Sequence, residues 1–352
     1  MLMFVVIMST GVLVVPSITI ERAEQSAWFA ALLSLPVALI SLGLANALGK
    51  RFPRKTLAQY CETLLGKYLG KLAAFGFLMF LFAVSIIVTR EFSDYINIML
   101  MPETPIILLN VILLVIAIYA AVKGLEVIAR IAQFILPLFL GSIIIIASLA
   151  LFDAKLGELL PFMEHGLVPV ISGATLPATL IGQIIIVTML FPMIRTPQKV
   201  AKAGIVALVC SGIFLTLLTV ISIAAFGPKL PGDLLFPFVT LARYIKFVTV
   251  QRLEFLVVFI WVSGIVVKVS IFLYLESVAI MQIFALKNKA IIFGLLFMVH
   301  TVLATLPFSN PQETNLVLTK FWPLISFVFE LVVPAGLLFI ALLKGQKVVL
   351  RK

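Results

Sequence analysis

The sequence predicts an all-α integral membrane protein of ten transmembrane helices, arranged as a five-plus-five inverted repeat with broken first and sixth helices. Three observations carry this. Of 352 residues, 63% are apolar and only 12% charged, far outside the range of a soluble globular chain. Apolar runs long enough to cross a bilayer occur ten times. The first and sixth runs, five spans apart, are interrupted by small, hydroxyl-bearing or proline residues, as inverted repeats with a ligand site at the midplane require.

The runs lie near residues 1–18, 27–48, 73–97, 105–122, 127–152, 175–194, 203–226, 253–275, 289–306 and 322–343. The whole chain, 1–352, reads as one polytopic domain, with repeat one at about 1–152, repeat two at about 165–343 and a short basic tail at 344–352. Loop charges orient it. The loop after the second run holds Lys50, Arg51, Arg54, Lys55, Lys67 and Lys71 against one acid, Glu62, and alternate loops follow suit, giving 17 basic residues on that side. The other side has seven, mixed with acids that include Glu103, Asp153 and Glu313. An excess of lysine and arginine marks the cytoplasmic face, so both termini are expected there. The net charge of +11 therefore records topology, and no nucleic-acid surface is expected.

The first span, MLMFVVIMSTGVLVVPS, has Ser9, Thr10 and Gly11 in its middle and Pro16 beyond. Such residues weaken a regular helix, which a membrane tolerates where the freed backbone faces protein or a wet cavity. Close helix packing through Gly11 explains the same residues equally well. The run before Gly11 is shorter than a full crossing needs, as a missing N-terminal piece would leave it. No cleavable signal peptide is expected, because the run leads into Pro16 without a small-residue cleavage site.

In the third span Arg90, Glu91 and Asp94 sit towards the outer end, and Arg90 and Asp94, four apart, are placed to neutralise each other. Between the fifth and sixth spans, GELLPFMEHGLVPVISGATLPA reads as short interfacial segments rather than one straight helix, and His165 within it as incidental. The sixth span puts Gly182 and Gln183 near the bilayer middle, between Pro177 and Pro192. A glutamine amide at that depth either makes an interhelical hydrogen bond worth about 1 kcal/mol or borders a helix break and faces a ligand. After the seventh span, PGDLLFPFVTLARYIKF reads as an amphipathic surface helix with Arg243 and Lys246 turned outward.

The eighth span, residues 252–277, embeds Lys268 roughly 20 Å from the outer edge of the hydrocarbon and about 10 Å from the inner one. Its stem reaches only about 6 Å, so it cannot snorkel to water. Placing a cation there costs from about 3 to more than 10 kcal/mol, so it must face a partner, the protein interior or a wet cavity. One reading is a packing or topology residue; the other is a residue lining a solute or ion pathway. His300 in the ninth span reads as a satisfied interior histidine in preference to a proton relay, and Glu330 in the tenth as an intramembrane acid without a nameable partner. Cys61 and Cys210 show no metal spacing. No enzyme is expected, since no paired-carboxylate, nucleophile or metal constellation has usable spacing, and no cofactor or metal is called for.

Broken helices meeting at the midplane offer N-terminal NH groups for a carboxylate and C-terminal carbonyls for a cation, which suits a small zwitterion such as an amino acid. The segments TGVLVVPS, LLPFMEHGLVPVISGA and FPMI, and above all RLEFLVVFIWVSGIVVKVSIFLYLES, resemble the membrane-embedded B subunits of spore germinant receptors, in the amino acid, polyamine and organocation (APC) transporter superfamily with its LeuT fold. The resemblance covers nearly the whole chain. It implies the spore inner membrane, assembly with an A-type membrane subunit and a C-type lipoprotein, and recognition of a small nutrient. The family's first-span glycine falls on Gly11 and its eighth-span lysine on Lys268. Where many members carry a sixth-span glutamate this chain has Gln183, implying a neutral hydrogen-bonding role.

The expected ligand site is therefore Ser9, Thr10, Gly11, Gly182, Gln183 and Gly264. Lys268 is expected to replace the cation that sodium-coupled members of the superfamily bind between the first and eighth spans. A sensing subunit leads; a secondary amino-acid transporter is the alternative, and a conduit for water or ions comes third. Sensor and carrier need the same pocket and differential affinity between two states.

Overall fold

The computed structural model describes residues 1–152, 154–244, 254–308 and 310–348. Asp153, residues 245–253, Ser309 and residues 349–352 lie outside the described residues, and with them the expectations placed on Lys246, Arg252, Arg351 and Lys352. Among the described residues the regular structure is helical: α1 (Leu2–Ala23), α2 (Ala27–Leu33), α3 (Leu35–Arg51), α4 (Leu57–Leu65), α5 (Lys67–Met99), α6 (Ile106–Lys123), α7 (Leu125–Ala150), α8 (Leu167–Gly182), α9 (Val187–Leu190), α10 (Val200–Phe226), α11 (Leu230–Asp233), α12 (Pro237–Tyr244), α13 (Glu254–Phe284), α14 (Lys289–Thr305), α15 (Pro311–Leu316), α16 (Trp322–Phe327) and α17 (Val333–Leu343). Among the described residues eight helical stretches are long and apolar enough to cross a membrane, and Lys289–Thr305 is a shorter apolar helix. The first stretch, Leu2–Arg51, has 50 residues, about 75 Å of helix against roughly 30 Å of hydrocarbon.

The chain packs as two compact units. The first comprises Met1–Leu39, Ile131–Gln183 and Gly204–Ile265; the second comprises Ile40–Arg130, Ile184–Ala203 and Val266–Lys352.

In the first unit α1 is the central helix. It is apolar all round, as a helix enclosed by others must be, and packs on α2, α8, α11 and α12. Small residues allow the approach: a Cβ on Gly173 of α8 would lie 3.1 Å from Ala23 Cβ, 3.3 Å from Ala30 Cβ and 3.3 Å from the Thr19 carbonyl. Close backbones of this kind are how helices associate without a hydrophobic driving force in lipid. The chain turns from α1 to α2 through Glu24–Ser26. Arg22 Nη1 donates to the Ser172 carbonyl at 3.1 Å and Thr175 Oγ1 at 2.9 Å, and Gln25 donates to Glu164 at 2.6 Å.

Two expectations are corrected in this unit. The first helix is not broken: Leu2–Ala23 is continuous α-helix through Ser9, Thr10, Gly11 and Pro16. Its small residues serve packing, with Ser9 Oγ donating back to the Val6 carbonyl at 2.9 Å and Gly11 giving room to Leu215. The stretch GELLPFMEHGLVPVISGATLPA is not one straight helix, as expected, but from Leu167 it is helical rather than irregular, because Pro169 falls in the first turn of α8, where a missing N–H costs nothing. The segment after α10 is helical but divided into α11 and α12, with Arg243 exposed and Phe238, Val239, Leu241 and Ala242 buried.

The second unit is built on α5, 33 residues long, which packs against α4, α6, α14 and α15. Helix α4 opens with a reciprocal cap between Thr56 and Gln59 and ends at Gly66 with φ 81°. It buries Cys61, and that burial pushes the thiol up to about 12. Phe80 of α5 stacks on Trp322 and Phe329, with ring centroids 5.7 and 5.5 Å apart. Two π-turns, Val317–Phe321 and Val328–Val332, each precede a proline, Pro323 and Pro334, whose missing N–H widens the turn before it.

A Cβ on Gly70 would lie 2.4 Å from Glu62 Cα and 2.6 Å from the Cys61 carbonyl. Those are backbone atoms, which no rotamer change can move. Gly70→Ala is expected to destabilise the protein by about 1–3 kcal/mol. Gly43→Ala in α3, where nothing lies within 4 Å, should be neutral or stabilising by up to about 1 kcal/mol. Thermal unfolding of the detergent-solubilised variants checks both.

Candidate functional site

In the first unit, Ser9 and Thr10 are buried on α1, and α13 crosses there. A Cβ on Gly264 would lie 3.1 Å from Ser9 Cβ and 3.5 Å from the Phe139 ring. Phe4, five residues before Ser9, is edge-on to Phe139 at 6.3 Å and to Phe214 at 5.8 Å. Gly11 abuts α10, with Leu215 Cδ2 2.7 Å from where its Cβ would be. Ser9 and Gly264 thus meet directly, while Gly11, two residues on, faces α10 instead.

The stretch Leu167–Met193, expected as the sixth span, is interrupted at Gln183. Helix α8 ends at Gly182, Gln183–Ile186 continues as a tighter helix with three residues per turn, and α9 resumes at Val187. Backbone hydrogen bonding changes partners where the winding tightens. Gln183 is 1% exposed, and its amide oxygen has no hydrogen-bond partner among the described residues. A buried polar atom left so costs about 1–3 kcal/mol, a cost that a bound ligand would remove.

In the second unit, Lys268 is fully buried on α13, and Glu91 of α5 and Glu330 of the second π-turn are the carboxylates whose charges act on it. Both acids are buried, and Glu91 Oε1 and Glu330 Oε1 have no hydrogen-bond partner among the described residues. Two carboxylates around one ammonium give a net −1 if all three are ionised, so the cluster holds one further positive charge when electrically balanced. Towards the end of α5, Arg90 Nε donates to Asp94 Oδ1 at 2.8 Å, the neutralising pair that their spacing predicts. Arg90 also reaches the Phe308 carbonyl at 2.9 Å, and Asp94 accepts from Thr314 at 3.0 Å.

His300, read from sequence as a satisfied interior residue, is satisfied: Nδ1 lies 2.8 Å from the Leu296 carbonyl and Nε2 2.8 Å from Ser85 Oγ. Its partners Ser85 and Glu276 escaped the sequence reading, and so did Glu91 as a partner of Lys268. Charge balance was the available signal, since intramembrane acids at 91, 276 and 330 require bases, and Lys268 and His300 are the candidates. Ser85, Glu276 and His300 do not form a hydrolytic triad, because serine and acid both face Nε2 and the site is sealed. Among the described residues no group of three or more His, Cys, Asp or Glu is placed to hold a metal.

The profile of the family described as Spore germination protein matches residues 1–313. Similar proteins include Spore germination protein KB of Bacillus subtilis (strain 168), 25% identical over 93% of this chain and 89% of that protein. Spore germination protein XB of Bacillus anthracis is 30% identical over 69% of this chain and 66% of its own length. A solved structure of MhsT in complex with L-phenylalanine matches with a TM-score of 0.61 over 97% of this chain and 98% of that one, at 13% identity. That likeness establishes the fold, the helical one of MhsT.

Proposed function

Since this chain belongs to the spore germination protein family, a non-enzymatic one, we propose that it is the B-type membrane subunit of a nutrient germinant receptor. It takes a small nutrient such as an amino acid beside Ser9, Thr10, Gly11, Gly182, Gln183 and Gly264. The resulting rearrangement passes to an A-type membrane subunit and a C-type lipoprotein in the spore inner membrane. The observation that carries this reading is Gln183: a sealed amide oxygen without a partner, at the point where a membrane helix changes its winding. An unsatisfied buried amide at a helix interruption is a feature with which such folds hold a polar solute.

The ten-span reading follows from length. The 50-residue stretch Leu2–Arg51 counts twice and Lys289–Thr305 counts once beside the other seven. With ten crossings both termini face the cytoplasm, and the halves 1–152 and 165–343 are the two repeats. The break belongs to the sixth span, and the first contributes its site by close packing. Lys268 is a fixed cation in place of a coupling ion. Sodium-stimulated ligand binding by the intact protein would overturn that last assignment.

The second reading, a secondary amino-acid transporter, is favoured by the fold match along nearly the whole of MhsT. Proteoliposomes containing this chain and offered a labelled amino-acid mixture separate the two. Ligand-dependent thermal stabilisation without uptake supports the sensor, and accumulation above empty liposomes makes it a carrier. Gln183→Leu serves either case. It removes an unsatisfied atom, so the ligand-free melting temperature should hold or rise, while affinity for the stabilising amino acid should fall about tenfold or more. Unchanged affinity would place the ligand elsewhere. Gly11→Leu is a poorer probe, because it drives a side chain into Leu215.

A further inference from the structure

We propose that Ser85, Glu276 and His300 form a binding site for one proton, buried in the second unit where α5, α13 and α14 meet. The argument is a count of hydrogens. Three short contacts hold the group together: His300 Nδ1 to the Leu296 carbonyl at 2.8 Å, His300 Nε2 to Ser85 Oγ at 2.8 Å, and Ser85 Oγ to Glu276 Oε1 at 2.6 Å. Each needs a hydrogen between its heavy atoms. A neutral imidazole, a serine hydroxyl and an ionised glutamate supply only two, on the ring and on Oγ. The carbonyl of Leu296 can only accept, so the ring hydrogen belongs on Nδ1. The hydroxyl hydrogen then serves either Nε2 or Oε1, and the other contact is lone pair against lone pair.

One extra proton completes the set. On Nε2 it donates to Ser85 Oγ, with Glu276 Oε2 3.2 Å away, and Ser85 donates on to Glu276. On Oε1 it donates to Ser85, which donates to Nε2. The two arrangements interconvert by moving one hydrogen along each of two bonds, and both are electrically neutral. The 2.6 Å contact fits a hydroxyl on a carboxylate, which puts the proton on the ring. The carbonyls of Leu81 and Phe82, each 3.1 Å from Ser85 Oγ, compete for its hydrogen and so make the extra proton more necessary.

Among the described residues, no other charged side chain lies within a turn of Ser85, Glu276 or His300 on its own helix. Glu276 is the charge that acts on His300. On α5 the nearest charged groups are Arg90 and Glu91, more than a turn from Ser85, and on α13 Lys268 is two turns from Glu276. Helix α14 has no other titratable group after Lys289, and α6, packed on α5 and α14, has none before Tyr119. Glu62 of α4 and Glu313 of α15 lie on elements packed against α5. His300, Glu276 and Ser85 are all sealed, so the proton exchanges only when the helices part. Its occupancy is therefore tied to the packing of the unit.

The chain has two histidines, and His165 is exposed. His165→Asn, labelled with nitrogen-15 histidine and held in lipid nanodiscs at neutral pH, reports His300 alone by nuclear magnetic resonance. Hydrogens on both ring nitrogens are expected. A ring with a hydrogen on Nδ1 only, together with no infrared band from a protonated carboxylic acid that Glu276→Gln removes, would overturn the site. In Glu276→Gln the Nε2 hydrogen should disappear; if it persists, the acid does not hold the proton and the proposal fails. Should that variant not fold, the two spectra of the His165→Asn protein decide.

Discussion

Lys268→Met is expected to lose most of its folded population in detergent, the largest effect of any single substitution considered. The methionine fills nearly the same volume, so packing is not the cause. What changes is charge: Glu91 and Glu330 stay buried with no cation between them, and breaking a buried ion cluster from one side costs about 3–5 kcal/mol. That is a large share of the total stability of a folded chain. The same reasoning predicts rescue. The triple variant Glu91→Gln, Lys268→Met, Glu330→Gln removes the ammonium and both carboxyl groups and should recover most of the lost melting temperature, since neutral replacement of a whole buried cluster is often nearly free. A Lys268→Met protein that melts like wild type would show that the ammonium is not the counter-charge. A failed rescue would show that the acids have a further partner.

This cluster also marks the limit of what could be read from the sequence. The apolar runs found the spans, because a bilayer imposes a length that no other environment demands, and Lys268 stood out by its depth. Its partners did not, because they lie on α5 and near α17, some 177 and 62 positions away by roughly counting along the chain, and pairing across helices leaves no periodic trace. Gly11 shows the opposite error. A glycine beside Ser9 and Thr10 looks like a weak point in a helix, yet inside a bundle the missing Cβ is space for Leu215 and the helix runs on. Gln183 was legible since glycine, amide and flanking prolines coincide. The run through Pro169 was not, because a proline in a first turn and a proline in a loop are spelled alike.

Arg90→Met is expected to be nearly as costly, for a reason that reaches beyond one pair. Arg90 gives Nε to Asp94 and Nη1 to the Phe308 carbonyl, with the Ala304 and Thr305 carbonyls at 3.5 and 3.4 Å. Those last two are orphan acceptors at the C-terminus of α14, where a cation also meets the negative end of the helix dipole. The guanidinium lies 5.6 Å from the Phe308 ring as well. One side chain therefore fastens α5 to the end of α14, while Asp94 fastens it to α15 through Thr314. Removing the arginine leaves Asp94 buried with only that hydroxyl, a loss of about 3–5 kcal/mol. Arg90→Met with Asp94→Asn should recover all but about 1 kcal/mol, the part owed to the carbonyls, because the amide oxygen still accepts from Thr314. Melting temperature reads the sum, and limited proteolysis separates the terms. The double variant should melt near wild type yet be cut faster between α14 and α15, because the ion pair sets the stability of the unit and the carbonyl contacts set how often that connection opens. Equal cleavage in both proteins would assign the whole effect to the ion pair and none to the capping of α14.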